Sequence, residues 1–430
     1  MTAREVRAAD VPARAVESSQ HGREAQAPDT ARAETLLRDD RALASWMSRA
    51  HEVSAANQEL AAAQADYRDS QMLPNPNLDL GVSNLALGQS NPPDLALNHM
   101  LVFGAGVSQL VELGKRGPRG DAAELRARAA ERGVARTLGE RVGDARLALG
   151  RLLYTGARAS ELDQSLAQAR AAADVAKGRL DHQALSGVDY DRLLIDLAGV
   201  EVDAERAHAE VTAAQSTCDT VLRAHCTVDG VDVSTLARSD TAAAGTALDQ
   251  RADLAQLSLE AEAAKKDATL AAHRAIPDLT FRLGYTGSTF TVSGDNPHTL
   301  GLTISAPIPV FDQGQHAESA ALARAKSLEE QRAGALASAR ATVAALRAHK
   351  LTTVNALDKL QRESLPRVDS VLHAEEQGLN EGQVDITDLL LARRDAIALR
   401  LQSLDLQFEL FSTNNELRQA LGLDAALLPR

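Results

Sequence analysis

Residues 188–194 read Val-Asp-Tyr-Asp-Arg-Leu-Leu and residues 384–390 read Val-Asp-Ile-Thr-Asp-Leu-Leu, an offset of 196 positions. A second pair of signals lies upstream at a similar offset. Leu73-Pro74-Asn75-Pro76-Asn77-Leu78 opens one alternating run, and Ile276-Pro277-Asp278-Leu279 opens another. Self-similarity at a fixed spacing indicates one architecture used twice.

Working outward from these anchors, each half reads as a helix, two strands, a very long helix, a turn and a second long helix. In the first half the helix is expected over 31–71, the strands over 77–85 and 100–111, and the long helices over 118–180 and 188–225, with a turn at Leu185-Ser186-Gly187. In the second half the helix falls at 247–274, the strands at 278–288 and 298–307, and the long helices at 314–376 and 384–421. The chain then divides into an N-terminal tail (1–30), a first repeat (31–225), a polar connector (226–246), a second repeat (247–422) and a C-terminal tail (423–430).

A helix of about sixty residues extends about 90 Å at 1.5 Å per residue, so such helices must pack side by side. The last one shows how. Ile397, Leu401, Leu404, Phe408 and Phe411 form one coiled-coil seam, and Leu399, Leu406, Leu410, Leu417 and Leu421 a second on the opposite side. Arg394, Arg400, Asp405 and Glu409 occupy the faces between. Two opposed apolar faces with charge between them describe one stave of a wall.

The strands share a period of two. Leu78, Leu80 and Val82 alternate with Asp79, Gly81 and Ser83, and Phe103, Ala105 and Val107 with Gly104, Gly106 and Ser108. Leu279, Phe281, Leu283 and Tyr285 alternate with Thr280, Arg282, Gly284 and Thr286, and Leu300, Leu302 and Ile304 with Gly301, Thr303 and Ser305. Strands of about ten residues with one apolar face suit a transmembrane barrel, and a soluble sandwich shares the alternation. Four strands are too few to close a barrel, which needs about eight, and open edges are not tolerated in hydrocarbon. A membrane destination therefore requires further copies. The polar, turn-rich segments 86–99 and 287–297 read as outward loops.

Composition bounds the alternatives. Net charge is -13 and no basic stripe stands out, which excludes a nucleic-acid surface. No 18-residue apolar run suits a spanning helix, and the first thirty residues hold no apolar run of signal-peptide length. Cys218 and Cys226 permit either a local disulfide or two separate thiols. The eleven histidines are scattered, no His pair has metal-ligand spacing with the cysteines, and no Gly-rich phosphate loop follows a strand. An enzyme is therefore not expected, with no catalytic residue, no resident metal and no cofactor. His99 and His298 flank strands and read either as metal-cation ligands or as polar loop residues.

From about residue 40 to 422 the chain resembles the TolC-like outer-membrane efflux proteins. The resemblance rests on Leu73–Pro76, Glu112-Leu113-Gly114-Lys115-Arg116, Arg251-Ala252-Asp253-Leu254 with Pro277-Asp278-Leu279, Pro307 through Gly314, Glu381-Gly382 through Leu390, and Leu417 through Gly422, in that order and spacing. It implies a mainly helical fold with a small β-barrel part. Three protomers would each give four strands to one twelve-stranded outer-membrane barrel that continues as a helical tunnel into the periplasm, with 226–246 in a belt around it. It implies a passive exit duct of a tripartite efflux pump, partnered by a periplasmic adaptor, an inner-membrane transporter of the resistance-nodulation-division type, and outer-membrane lipid. The Glu-Leu-Gly-Lys-Arg stretch is similar to the heavy-metal-cation branch, and other small toxic compounds are alternative cargo. A type I protein-secretion outlet of the same fold and a soluble coiled-coil scaffold are the competing readings.

By the same resemblance Asp388 falls on the position that closes the periplasmic entrance, while Leu391 stands at the family's second acidic position. Asp385, Asp189 and Asp191 are candidates for nearby charge; Asp385 and Asp189 also read as helix N-caps. Gly187 and Gly382 mark the tip turns, which in the family face the adaptor. Lys115 and Arg116 read either as a solvated pair below the membrane or as a specific contact. Pro307 and Pro309 are expected to end the fourth strand.

Overall fold

The computed structural model describes residues 30–85, 88, 96, 101–228, 236, 248–289, 296–381 and 383–427. Its spine is α4, Arg116–Asp181, one unbroken helix of 66 residues and about 100 Å. Alanine and glycine dominate its buried positions, including Ala122, Ala129, Ala145, Ala159, Gly143 and Gly150. Small side chains let neighbouring helices approach closely, and a Cβ on Gly150 would overlap the Phe411 ring.

The remaining helices lie along this spine. α3 (His51–Ser70) and α6 (Ala252–Ala272) flank its first part, and α7 (Gln315–Lys359) lies against α6. α5 (Gly187–Leu222) and α9 (Ile386–Leu421) flank its later part, and α8 (Leu365–Glu381) packs on α9. The two seams of α9 meet different partners, as expected. Ile397 and Leu401 join Leu162, Ala204 and Ala207 of α4 and α5, and Phe411 joins Tyr154. Leu417 and Leu421 join Val343 of α7.

Four strands form one antiparallel sheet in the order β2 (Asn77–Ser83), β3 (Val102–Val111), β5 (Leu279–Ser288), β6 (His298–Ser305). Among the described residues its outer strands, β2 and β6, each keep one unpaired edge.

Several expectations need correction. The expected helix at 31–71 is instead β1 (Thr30–Arg32), α1 (Ala33–Arg38), α2 (Asp40–Met47) and α3. Asp39 restarts the helix, its carboxylate accepting from the Arg41 and Ala42 amides at 2.9 and 3.2 Å. β1 pairs in parallel with β4, His225–Thr227, which straddles the expected boundary between first repeat and connector. The helix expected to reach 225 stops at Leu222 because Arg223 turns left-handed, φ 54°. The helix expected at 247–274 begins only at Ala252, after a 3-10 turn at Leu248–Gln250. The helix expected over 314–376 is interrupted by a π turn at Leu360–Ser364, which ends two residues before Pro366. Proline lacks the N–H that an uninterrupted α-helix requires there, and the wider turn absorbs that loss.

The open thiol question is settled as a disulfide: Cys218 is bonded to Cys226. Both are buried beside Leu43, Leu149 and Leu153 in the largest apolar cluster, where Trp46 Nε1 also donates to the Leu222 carbonyl at 3.0 Å. Most of segment 226–246 lies outside the described residues, as does most of 86–99, His99 included. Leu236 is described and is fully buried against Tyr154 and Phe411.

Candidate functional site

The sheet register fixes what each face presents. Leu78, Val107, Leu283 and Leu302 form one row straight across the four strands, and Leu80, Ala105, Tyr285 and Leu300 form the next. Leu80 is 73% exposed and Leu300 74%, with Leu78, Val107, Leu283, Leu302 and Ile304 also exposed. Nothing among the described residues covers this apolar face. On the other face the rows are Asp79–Gly106–Gly284–Gly301 and Gly81–Gly104–Thr286–Thr299. Arg282 reaches across Gly106 toward Asp79, 3.7 Å from Nε to Oδ2. An isolated four-stranded sheet with this amphipathicity buries neither face in its own chain.

The sheet is pinned to the helices by Asp278. Its carboxylate accepts from the Leu113 amide at 3.1 Å and from Lys115 Nζ at 2.7 Å. His273 Nδ1 meets the Gly114 carbonyl at 2.6 Å, and Gly114 has φ 72°. Glu112 and Arg119 form a two-pronged pair at 2.7 and 2.9 Å. Lys115 is thus a partly buried clamp between the two strand pairs rather than a solvated charge, and Arg116 begins α4. Pro307 and Pro309 follow the end of β6 at Ser305.

At the far end of the wall the starts of α5 and α9 come together, with Leu193 and Ile386 buried in one cluster. Ser186 caps α5: its hydroxyl accepts from the Asp189 amide at 3.1 Å and donates to the Asp189 carboxylate at 2.6 Å. Asp189 therefore occupies the first turn and is not itself the N-cap. Asp388 occupies the matching place in α9, whose N-cap, Asp385, makes no side-chain capping bond. Carboxylates in these first turns suit the positive end of the helix dipole. Arg192 pairs with Asp189 at 3.2 Å and extends toward Thr387 Oγ1 at 3.5 Å. Asp191, Asp385 and Asp388 are exposed. The structure thus brings the four acidic candidates to one end of the chain.

Gly187 is an ordinary first residue of α5 with open space around its Cα, and the left-handed residue of this turn is Gln183, φ 59°. Gly187 is not the residue that lets the chain turn. Gly382 lies outside the described residues. Behind the tips, a cavity of about 300 Å³ separates α4 and α5 from α8 and α9, lined by Val175, Arg179, Leu193, Leu379 and Leu389.

Sequence reading missed a buried charge cluster at the middle of the wall. Arg146, only 6% exposed, donates to Asp424, Asp40 and Asn415 at 2.8 to 3.0 Å. Arg418 donates to Asp424 and Asp40 at 2.9 and 2.7 Å. Burial alone pushes the Asp424 carboxyl upward, but the hydrogen bond and charge of Arg146, with Arg418 beside it, hold it below the usual carboxylate range. Among the described residues no group of three or more His, Cys, Asp or Glu is placed to hold a metal ion. His298 opens β6 and meets Tyr285 Oη at 2.7 Å. No described helix is long and apolar enough to cross a membrane.

The fold is found in solved structures. CusC, described in connection with transmembrane channel formation, superposes with a TM-score of 0.74 at 16% identity, covering 90% of this chain and 92% of that one. The chain has the TolC-like outer-membrane channel fold. The outer-membrane protein VceC of Vibrio cholerae matches with a TM-score of 0.72 at 17% identity, over 90% of this chain and 96% of VceC. The MtrE outer-membrane channel of Neisseria gonorrhoeae in its open state gives 0.70 at 16%, over 89% and 88%. The family profile described as "Outer membrane efflux protein" matches residues 243–423, the second of the two expected repeats. No curated protein matches the sequence. The proteins that share this channel fold are channels rather than enzymes.

Proposed function

We propose that three copies of this chain join edge to edge into one twelve-stranded barrel in the outer membrane, and that their helices continue as a duct through the periplasm. The observation that carries this reading is the uncovered sheet: four strands, an exposed apolar face and two unpaired edges, mounted on a helix of about 100 Å. In hydrocarbon every backbone group needs a partner, and only a closed barrel supplies one to each strand edge. The apolar face then meets lipid and the Gly, Ser, Thr, Asp79 and Arg282 face meets water. A soluble scaffold is disfavoured by the same face, because contiguous apolar surface of this kind is costly in water.

The duct is the passive exit of a tripartite efflux pump. It docks through the turns near Gly187 and Gly382 with a periplasmic adaptor, which connects it to an inner-membrane transporter of the resistance-nodulation-division type. Asp388, with Asp385, Asp189 and Asp191, lines the periplasmic entrance, where carboxylates repeated in three protomers favour cations over anions. Small toxic compounds, heavy-metal cations among them, are the cargo. The experiment is the mass of the detergent-purified chain together with conductance in planar bilayers. A trimer that forms discrete pores is expected; a monomer without conductance overturns the reading.

A further inference from the structure

In the sheet, Asn77 at the start of β2 lies level with Thr303 near the end of β6, three strands away. Both the segment before β2 and the segment after β6 therefore leave the sheet at its helical end. At a strand spacing of 4.7–4.9 Å, Asn77 and Thr303 are about 14 Å apart across the sheet. When the β6 edge of one copy pairs with the β2 edge of the next, the two strands run antiparallel, as every other pair in the sheet does. That pairing brings the 307–311 segment of one copy against the 72–76 segment of its neighbour.

The apolar side chains of both segments are largely exposed in the single chain. Pro307 and Pro309 lack the N–H needed to continue a ladder, so the chain leaves the sheet and presents Ile308, Val310 and Phe311 outward. Phe311 is 93% exposed, and Ile308 83%. On the other edge Met72 and Leu73 are exposed at the rim of a cleft of about 670 Å³ that also includes Pro74, Ser70 and Arg119. Arg119 is held in place by Glu112 and by the Ser70 carbonyl at 3.2 Å. The cleft is mixed, since Asp66, Asp69 and Asn75 also line it. Its apolar rim of Met72, Leu73 and Pro74 and the Arg119 guanidinium, whose flat face can stack on an aromatic ring, are the part that suits an exposed aromatic from the other edge.

We propose that Phe311 of each copy is seated in the cleft formed by Met72, Leu73 and Arg119 of the next copy, a head-to-tail clasp below the barrel. This rests on the trimer reading above and adds the residues that lock it. The chain's two native cysteines are bonded to each other, so a Leu73→Cys, Phe311→Cys double variant adds the only free thiols among the described residues. A bond within one chain leaves the mass of the denatured chain unchanged, whereas a bond between copies links chains into dimers and trimers, so the gel tells the two apart.

Oxidation of the double variant is expected to give covalent dimers and trimers on a non-reducing gel, and neither single variant should. Trimeric mass in detergent with no covalent product overturns the seat alone and makes these side chains lipid-interface anchors; a monomeric mass overturns the trimer as well. As a second measurement, Phe311→Ala should lower the temperature at which the trimer dissociates while Phe311→Trp retains it. An unchanged temperature for the alanine variant overturns the proposal.

Discussion

Arg146 grips Asp424 with both terminal nitrogens, at 2.8 and 3.0 Å, across a sequence separation of 278 residues. The pair ties the last turn of the described chain, Asp424–Leu427, to the middle of α4, and Asp40 and Arg418 extend it to α2 and α9. Removing one partner of a buried pair leaves the other charged and unmatched, which costs about 3–5 kcal/mol. Asp424→Ala should fall toward the low end of that range, because Arg146 keeps Asp40 and Asn415. The midpoint of helix melting, followed by circular dichroism, measures it.

The same carboxylate gives the fold an acid limit. Its folded pKa is depressed, so its contribution is present above the ordinary carboxylate range and is lost as pH falls through the folded value. Melting midpoints should therefore drop as acid reaches below the normal range. In Asp424→Asn, already less stable at neutral pH, the drop should be shallower. A parallel pair of curves would assign the acid sensitivity to other carboxylates.

Asp278 serves both strand pairs, holding the Leu113 amide and Lys115 together. Asp278→Ala deprives a part-buried amide and an ammonium of their acceptor, a cost of about 1–3 kcal/mol. The effect should be local: faster hydrogen exchange at Leu113 and faster protease nicking near 112–116, with the buried middle of α4 unaffected. Asp278→Asn, which keeps one acceptor oxygen, should show less of both.

Pattern carried much of this fold, and its failures have causes. The α9 seams at Ile397–Phe411 and Leu399–Leu421 and the period-two strands were legible because burial of apolar area dictates spacing wherever one face is covered. The sheet faces were legible for a different reason: successive strand residues point to opposite sides, so the alternation alone sorts apolar from polar positions, although the apolar face is exposed in the single chain. β1 was hidden because a three-residue parallel pairing with β4 has no periodicity to detect. Arg146 and Asp424 were hidden because each reads locally as a surface charge, and only tertiary contact makes them a pair. Ser186 reads in sequence as a turn residue and Asp189 as the cap, although a serine three positions before an acidic residue also fits a capping box.

The Cys218–Cys226 bond holds β4 against the end of α5, where Asp219 also accepts from the Cys226 amide at 2.7 Å. A short closed loop of this kind contributes about 2–3 kcal/mol by restricting the unfolded chain. Replacing both cysteines with alanine should lower the melting midpoint and expose β1, raising exchange at Ala31 and Cys226's neighbours. Reduction of the native protein should do the same; no change in exchange would mean that Trp46 and the surrounding apolar cluster hold this corner unaided.

The acidic tip makes an electrical prediction. In the proposed trimeric duct, neutralising Asp189, Asp191, Asp385 and Asp388 together with asparagine would remove four carboxylates per chain from the periplasmic end, twelve in all. In bilayers with a salt gradient, the reversal potential should move toward zero as cation preference declines. Asp388→Asn alone should produce a part of that shift. Because Arg192 already neutralises Asp189 in place, Asp189→Asn should contribute least.

The two faces of the sheet should tolerate charge very differently. Leu283 lies in the apolar row with Leu78, Val107 and Leu302, and Thr286 lies on the opposite face in the row with Gly81, Gly104 and Thr299. A lysine on a lipid-facing strand position near the bilayer midplane costs about 2–4 kcal/mol, whereas a water-facing position lets the ammonium stay hydrated. Leu283→Lys should therefore reduce the yield of membrane-inserted trimer, while Thr286→Lys should insert normally and instead alter ion selectivity. Comparing heat-resistant trimer on gels for the two variants separates a lipid-facing sheet from one buried in protein, since a buried sheet would reject lysine on both faces.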